Sequence, residues 1–464
     1  MERGLKSGII TVLIANIINV FFGLATNFLL PKYLSVESYA GIKTFQLYVS
    51  YVGLLHLGYV DGMYLKYGGR DLTYKLTEDF SVNFSTMHIF QLAFSFILAI
   101  VAFASGDLIL GLFIVSAFPQ NLNNYFKYLY QATGEFKLYG RAMNLSSFSI
   151  FAVNTILLVF KQDVDSVYII SYVIVYYLIW IILEVNFRRK HYIPKTKLFD
   201  LKELSEIVRS GFLLTLGNIA SMLLTSMDRW FVKFLMDTVA FAHYSFAVSV
   251  ENFLNLAITP VTTTLYNYFC REQDNAKHKT ILQYVLVFAT VLPAAAFPVK
   301  FILEVYLDKY IESSMVIFIL FSAQMFYVII RSIYVNLYKV QKLQQRYFAK
   351  LSIIIVSGFL FNIICYQLSN MKESFAIGTL LAAILWYLIT IPDFPKLQLG
   401  FKENIYLFSE LALFLFVGIE FRAVWGLIIY CILTFILLLI LMKGTMKNIL
   451  AVVLTYVSRR DRLV

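Results

Sequence analysis

What most constrains this chain is a succession of apolar runs, each long enough to cross a bilayer, separated by short polar segments. A spanning helix needs about 20 mostly apolar residues. Fourteen runs meet or approach that need: 9–30, 39–60, 82–104, 107–130, 141–160, 166–187, 211–235, 238–268, 281–303, 313–338, 348–369, 374–391, 404–420 and 423–442. Lipid offers backbone groups no partners, so a crossing chain must be helical or form a closed barrel. These runs are too long and continuous for barrel strands. The fold class expected is all-α: a polytopic integral membrane protein of about 14 transmembrane helices. Composition agrees. The chain is 60% hydrophobic and 14% charged, against about 45–50% apolar and about 25% charged for a soluble domain. A soluble enzyme, a disordered chain and a fibre are excluded. The fourth run is the most polar, with Gln120, Asn121, Asn123, Asn124 and Lys127, and the twelfth is short. No small-x-small cleavage signature follows Met1-Glu2-Arg3-Gly4-Leu5-Lys6, so the first run reads as a retained span.

The basic residues set the expected orientation. With the N-terminus inside, 29 of the 39 Lys and Arg fall on one side and six on the other. The remaining four, Lys43, Arg229, Lys233 and Arg331, lie within runs. The positive-inside rule then places both termini in the cytoplasm. The net charge of +11 reflects topology and contact with anionic lipid, not nucleic acid. The outer loops are roughly ten residues or fewer, so no extracytoplasmic domain is expected to hold an active site. Cys270, Cys365 and Cys431 are too scattered for a disulfide framework and read as small apolar filler. The chain has no P-loop, no dinucleotide fingerprint, no His-Glu-x-x-His and no nucleophile elbow. It is not expected to be an enzyme, and ATP-driven transport would need a separate subunit.

The segment 188–210 is a basic midpoint opening on Arg188-Arg189-Lys190. Leu198, Leu201, Leu204, Ile207 and Val208 recur at three- and four-residue spacing, which fits an amphipathic helix in the cytoplasmic interface or a plain solvated linker. Lys6-Ser7-Gly8 opens the first run and Arg209-Ser210-Gly211 the seventh, a weak internal repeat. The expected domains are 1–187, an N-terminal six-helix bundle; 188–210, the linker; 211–392, a second six-helix bundle; and 393–464, two extra helices with a basic tail. Parallel six-helix repeats place substrate between their halves.

Polar residues inside the runs are the candidate functional residues. Asn16, Asn19 and Asn27 share a face of the first run, and Asn218, Ser221, Thr225 and Asp228 share one of the seventh. Lys43 and Gln46 align in the second run, Glu251 and Asn255 in the eighth, and Gln324, Tyr327 and Arg331 in the tenth. Hydrogen bonding between helices and a water-filled lumen both explain the uncharged stripes. A charge near the bilayer centre costs about 2.5–3.5 kcal/mol on insertion scales, so each needs an offset. Lys43 could snorkel outward. Arg229 could pair with Asp228, Arg331 with another acid, and Lys233 could serve the interface. Asp228 and Glu251 either neutralise these cations or bind a coupling ion, Na+ or H+. His56, His88 and His243 read as hydrogen-bonded interior or interfacial residues, and Asp61 with Lys66 as a local pair closing the second run. Pro119, Pro260, Pro293 and Pro298 should kink their helices.

Three motifs then point to one family. Thr26-Asn27-Phe28-Leu29-Leu30-Pro31-Lys32-Tyr33-Leu34, with Glu37-Ser38-Tyr39-Ala40-Gly41, resembles the end of the first span of polysaccharide-transporter flippases. Leu57-Gly58-Tyr59-Val60-Asp61-Gly62 is similar to the end of their second span. Ser226-Met227-Asp228-Arg229-Trp230-Phe231-Val232 resembles the Asp-Arg signature of their seventh. The family more often places Gly directly after Tyr than the Tyr39-Ala40-Gly41 found here. The resemblance to O-antigen-type lipid-linked oligosaccharide flippases implies two six-helix bundles in a V working by alternating access. It implies a polyprenyl-pyrophosphate-linked oligosaccharide as cargo, moved to the outer leaflet of a bacterial inner membrane. A polysaccharide polymerase and chain-length machinery would be partners. Lys43, Arg229 and Arg331 would hold the pyrophosphate, since Arg grips phosphate oxygens bidentately. Asn16, Asn19 and Asn218 suit sugar hydroxyls. Asp228, Glu251 and Lys233 would serve ion coupling or charge pairing. A multidrug antiporter of the same superfamily, with an acidic cavity, and a polysaccharide-assembly membrane enzyme, with a large outer loop, are the competing readings.

Overall fold

The computed structural model describes residues 2–73, 75–272, 274–449 and 451, with side chains from Asn16 onward. Arg3, Lys6 and the tail cations Arg459, Arg460 and Arg462 lie outside the described side chains. Two compact units divide the chain, Met1–Met222 and Leu223–Val464. Unit 1 holds α1 (Glu2–Tyr33), α2 (Val36–Ser50), α3 (Tyr59–Tyr67), α4 (Glu78–Ala104), α5 (Leu108–Ala132), α6 (Phe136–Val159) and α7 (Asp165–Lys190). The helix α8 (Leu201–Leu235) begins in unit 1 and ends in unit 2. Unit 2 continues with α9 (Thr238–Glu251), α10 (Asn255–Arg271), α11 (Asn275–Val291), α12 (Ala296–Val305), α13 (Ser314–Ile329) and α14 (Val335–Val340). It closes with α15 (Gln344–Ser369), α16 (Glu373–Thr390), α17 (Phe401–Glu420) and α18 (Ala423–Leu441).

Every expected run coincides with a helical segment, and the described residues contain no strand. Among the described residues, nine helical segments are long and apolar enough to cross a membrane by length and composition. Caps set several starts. Ser35 Oγ accepts from the Ser38 N–H, and Asp237 Oδ1 from the Ala240 N–H. Thr77 and Asp107 do the same for α4 and α5. Each satisfies an amide that the first turn leaves without a partner.

The polar fourth run has a packing explanation. Its helix α5 lies at the centre of unit 1, touching α2, α3, α4, α6 and α7. Gln120, Asn121 and Asn123 are buried there. Gln120 donates to Ser116 Oγ at 2.7 Å and Asn123 to the Tyr176 carbonyl at 3.1 Å. The helix α13 takes the equivalent place in unit 2, against α9, α11, α12, α16 and α17. Its spanning window is 89% buried, against 22% for α15. On α5 the amide side chains lie where protein, not lipid, surrounds them.

Several spans are broken. The second splits at a 3-10 turn, Val52–His56, which ends on Leu57 and Gly58 with φ of 52° and 91°. Leu57 shows that this left-handed bend is imposed by packing, since only Gly58 adopts it without strain. The eighth span has a 3-10 turn at Asn252–Leu254, upstream of Pro260. Leu292–Ala295, which contains Pro293, separates α11 from α12. A π-helical segment, Ile330–Tyr334, joins α13 to α14.

Three features differ from expectation. The residues 201–208 form no separate interfacial helix but the first turns of α8. Ile207 is buried, with Leu204 and Val208 packed against the aromatic core of Tyr59, Phe80, Phe84 and Phe126. Asp61 does not pair with Lys66. It accepts from Thr215 Oγ1 at 2.6 Å, while Lys66 bonds Glu203 at 2.8 Å and Asp79 at 2.9 Å. Cys270 and Cys431 are exposed rather than buried filler. Glycine explains the Asp61–Thr215 contact. A Cβ on Gly211 would stand 2.0 Å from the Gly58 carbonyl oxygen, and one on Gly62 would stand 2.1 Å from that of Ile207. Backbone meets backbone where α8 crosses the start of α3, as small residues permit between membrane helices.

Candidate functional site

Unit 2 gathers most of the charged candidates. The helix α8 supplies Asp228 and Arg229, α9 supplies Tyr244 and Glu251, α10 begins with Asn255, and α13 carries Gln324 and Tyr327. Arg331 stands in the π segment, and α16 brings Thr379. Asp228 is buried and well supplied with donors. Tyr244 Oη donates to Oδ2 at 2.6 Å, Thr379 Oγ1 to the same oxygen at 3.3 Å, and the Arg229 backbone N–H to Oδ1 at 2.8 Å. These bonds replace hydration of a buried carboxylate.

The guanidiniums are held differently. The Nε of Arg229 is buried with no hydrogen-bond partner. Arg331 Nη1 donates to Asn255 Oδ1 at a long 3.4 Å, and its Cζ lies 5.3 Å from the Tyr327 ring centroid. Cation–π contact of this kind offsets part of the lost hydration. Among the described residues, neither arginine forms an ion pair with a carboxylate. The structural pairs left open for Arg229 and Arg331 are therefore not made. Glu251 accepts from Gln324 Nε2 at 2.6 Å and lies within electrostatic reach of Asp228, Arg229 and Arg331. The result is two cations and two carboxylates from two helices and a π segment, mutually close but incompletely paired. A π segment inserts a residue into the helical register and is frequent at functional positions. Here it presents Arg331 while Ser332 and Asn336, on the next face, bond Thr262 on α10. Lys233 stands apart, over the Phe241 ring at 5.5 Å.

The unit 1 candidates do not converge in one place. Lys43 is buried and does not snorkel. Its Nζ donates to Asn27 Oδ1 at 2.8 Å and Gln46 Oε1 at 3.1 Å, over the Tyr39 ring. Asn19 accepts from Ser147 Oγ where α1 meets α6. Asn16 is exposed. Asn218 is also exposed and lines a different feature, a cavity of about 530 Å³ with His56, Asp61, Gln120, Tyr128 and Thr215. This cavity was not anticipated, because its walls come from α5, α8 and the broken second span. Only the polar character of the fourth run hinted at it. His56 Nδ1 accepts from the Gly58 N–H, and His88 and His243 face Glu184 and Glu312.

No protein-family profile matches the chain, and no curated protein does. Solved structures do. The lipid II flippase MurJ in an inward closed conformation aligns with a TM-score of 0.71, covering 94% of this chain and 100% of its own, at 16% identity. An outward-facing multidrug resistance MATE transporter of the MOP superfamily gives a TM-score of 0.45 at 13% identity, over 86% of this chain and 94% of its own. A MATE structure in a straight conformation gives 0.44 at 13% identity, over 88% and 96%. Of these three, the MurJ likeness is the one that carries weight, and at that identity it establishes the fold: a multi-pass helical membrane protein.

Proposed function

We propose that the protein is a flippase. It translocates a polyprenyl-pyrophosphate-linked oligosaccharide, an O-antigen, capsule or exopolysaccharide repeat unit, from the cytoplasmic to the outer leaflet of a bacterial inner membrane by alternating access. Both termini are cytoplasmic. The observation that carries this reading is the pair Arg229 and Arg331, held inside an apolar unit of a MurJ-like fold without carboxylate ion pairs. A charge so placed is costly, and a polyanionic ligand is the partner that offsets the cost. The planar fork of Arg matches phosphate oxygens, and a diphosphate offers several. Lys43 adds a third cation, and Asn16, Asn19 and Asn218 serve the sugars. Asp228, Glu251 and Lys233 serve coupling to Na+ or H+ or balance the cations between cycles. A polysaccharide polymerase with chain-length machinery takes the product. A multidrug antiporter is the second reading, favoured only by the two carboxylates.

The test is made on lipid extracts of cells lacking this chain. Polyprenyl-pyrophosphate-linked oligosaccharide, quantified by mass spectrometry, should accumulate while surface polysaccharide falls, and the intact gene should restore both. An unchanged lipid pool with unchanged surface glycan overturns the proposal, and drug efflux would then be measured.

A further inference from the structure

At one end of unit 1, α6, α7 and Tyr130 near the end of α5 enclose a cavity of about 330 Å³ that the transport reading does not use. Its lining changes character along the helices. Arg141, on the second turn of α6, and Lys190, the last residue of α7, stand at the mouth. Asn186 follows one turn deeper on α7, then Ile182 a further turn in, with Leu145 one turn inward of Arg141 on α6. From Lys190 to Ile182 is eight residues, about 12 Å of helix. Leu183 is a buried part of the floor, while Ile182 is 43% exposed and opens the apolar end sideways. Among the described residues, neither Arg141 nor Lys190 is in an ion pair. The nearest acids are engaged or displaced: Glu184 holds His88 and Arg188, and Glu135 sits before the first turn of α6. Lys137 and Arg189 add exposed positive charge alongside.

A cationic mouth grading over about 12 Å into an apolar, laterally open floor matches an amphiphile lying parallel to the helices. We propose that this cavity is a binding site for an anionic phospholipid. The phosphodiester headgroup lies between Arg141 and Lys190, the glycerol esters reach Asn186, and the upper acyl chains rest on Leu145, Leu183 and Ile182. Basic pockets between membrane helices recognise anionic headgroups in this way. The charge count places this end at the cytoplasmic leaflet. A soluble phosphate has no use for the apolar floor. A zwitterionic lipid satisfies the floor but brings its own cation to the mouth.

The full-length protein, purified in detergent and delipidated, is titrated with phosphatidylglycerol and separately with phosphatidylcholine, and bound lipid is counted by native mass spectrometry. We expect one phosphatidylglycerol retained selectively. The double variant Arg141→Gln with Lys190→Gln should bind it roughly tenfold or more weakly. Both residues are exposed, so the variant keeps its fold, checked by an unchanged melting temperature without lipid. Lys202→Gln with Arg209→Gln, which removes two cations elsewhere in unit 1, should bind as the wild type does. Equal retention of the two lipids by the wild type overturns the proposal. So does undiminished selectivity in the double variant, or displacement of phosphatidylglycerol by a soluble prenyl diphosphate at equal concentration.

Discussion

Arg331 illustrates what a single residue contributes and costs. Its charge sits in a span whose neighbours are almost all buried, with a long bond to Asn255 and a ring beneath it. Partial solvation of this kind leaves the folded protein carrying part of the desolvation cost. Under the proposed function, replacing Arg331 with Met should abolish transport, read as accumulation of the lipid-linked oligosaccharide, while leaving the melting temperature unchanged or higher. Arg331→Lys keeps the charge but loses the planar fork, and should transport at least tenfold more slowly. The cluster around Glu203 behaves in the opposite way. Glu203 is buried, bonded to Lys66 at 2.8 Å and to Asn83 Nδ2 at 2.7 Å, and Tyr125 Oη donates to Asn83 Oδ1. Glu203→Ala should cost about 1–3 kcal/mol, seen by thermal unfolding, because it leaves buried donors without partners. Burial alone would lower the Lys66 pKa, but its bonds to Glu203 and Asp79 outweigh that and hold it above the ordinary lysine value. A cation with a raised folded pKa stabilises at full strength below its unfolded value and loses that contribution as pH rises through the folded one. The Glu203→Ala deficit should thus be constant from pH 6 to 9 and shrink only above about pH 10.4.

At the scale of elements, hydropathy made the helical segments legible, because a long apolar run has one answer in lipid. Breaks inside runs were not legible. Leu57 gives no signal of a left-handed bend, and nothing in Ile330-Arg331-Ser332-Ile333-Tyr334 announces a π segment. Proline signalled the break at Leu292–Ala295 only. The charged candidates stood out for the same reason as the spans, since a charge in an apolar run is conspicuous. Their partners did not, because Tyr244, Thr379 and Gln324 are chosen by tertiary packing. The Gly211 motif was visible as a repeat, but its use as a crossing point needed the geometry. Gly211→Val should push α8 from α3 and lower folded yield sharply, measured by size exclusion of the detergent-solubilised protein. Gly217→Ala on the same helix meets nothing within 4 Å and should be neutral or slightly stabilising.

For the whole molecule, the testable statement is orientation. Alternate segments carry 29 of the 39 Lys and Arg, and from this the positive-inside rule predicts the direction of each crossing. Alkaline phosphatase inserted after Lys195, in the basic segment, should be inactive. The same enzyme inserted after Gln162, in the exposed turn between α6 and α7, should be active. The reverse pattern would invert every crossing and move the cationic mouth of the α6–α7 cavity to the outer leaflet.

The interrupted second span has a consequence for biogenesis. Between Val36 and Tyr67 the chain must place Lys43, His56 and Asp61 away from lipid, and it does so against α5 and α7. Those helices are synthesised later. As it leaves the ribosome, this stretch is too polar and too broken to partition into the bilayer alone. It must wait at the translocon, or at the interface, until its neighbours arrive. A nascent chain stalled when the residues up to Tyr67 have just left the ribosome should leave it unprotected from protease, and one stalled after the whole of α7 has emerged should protect it.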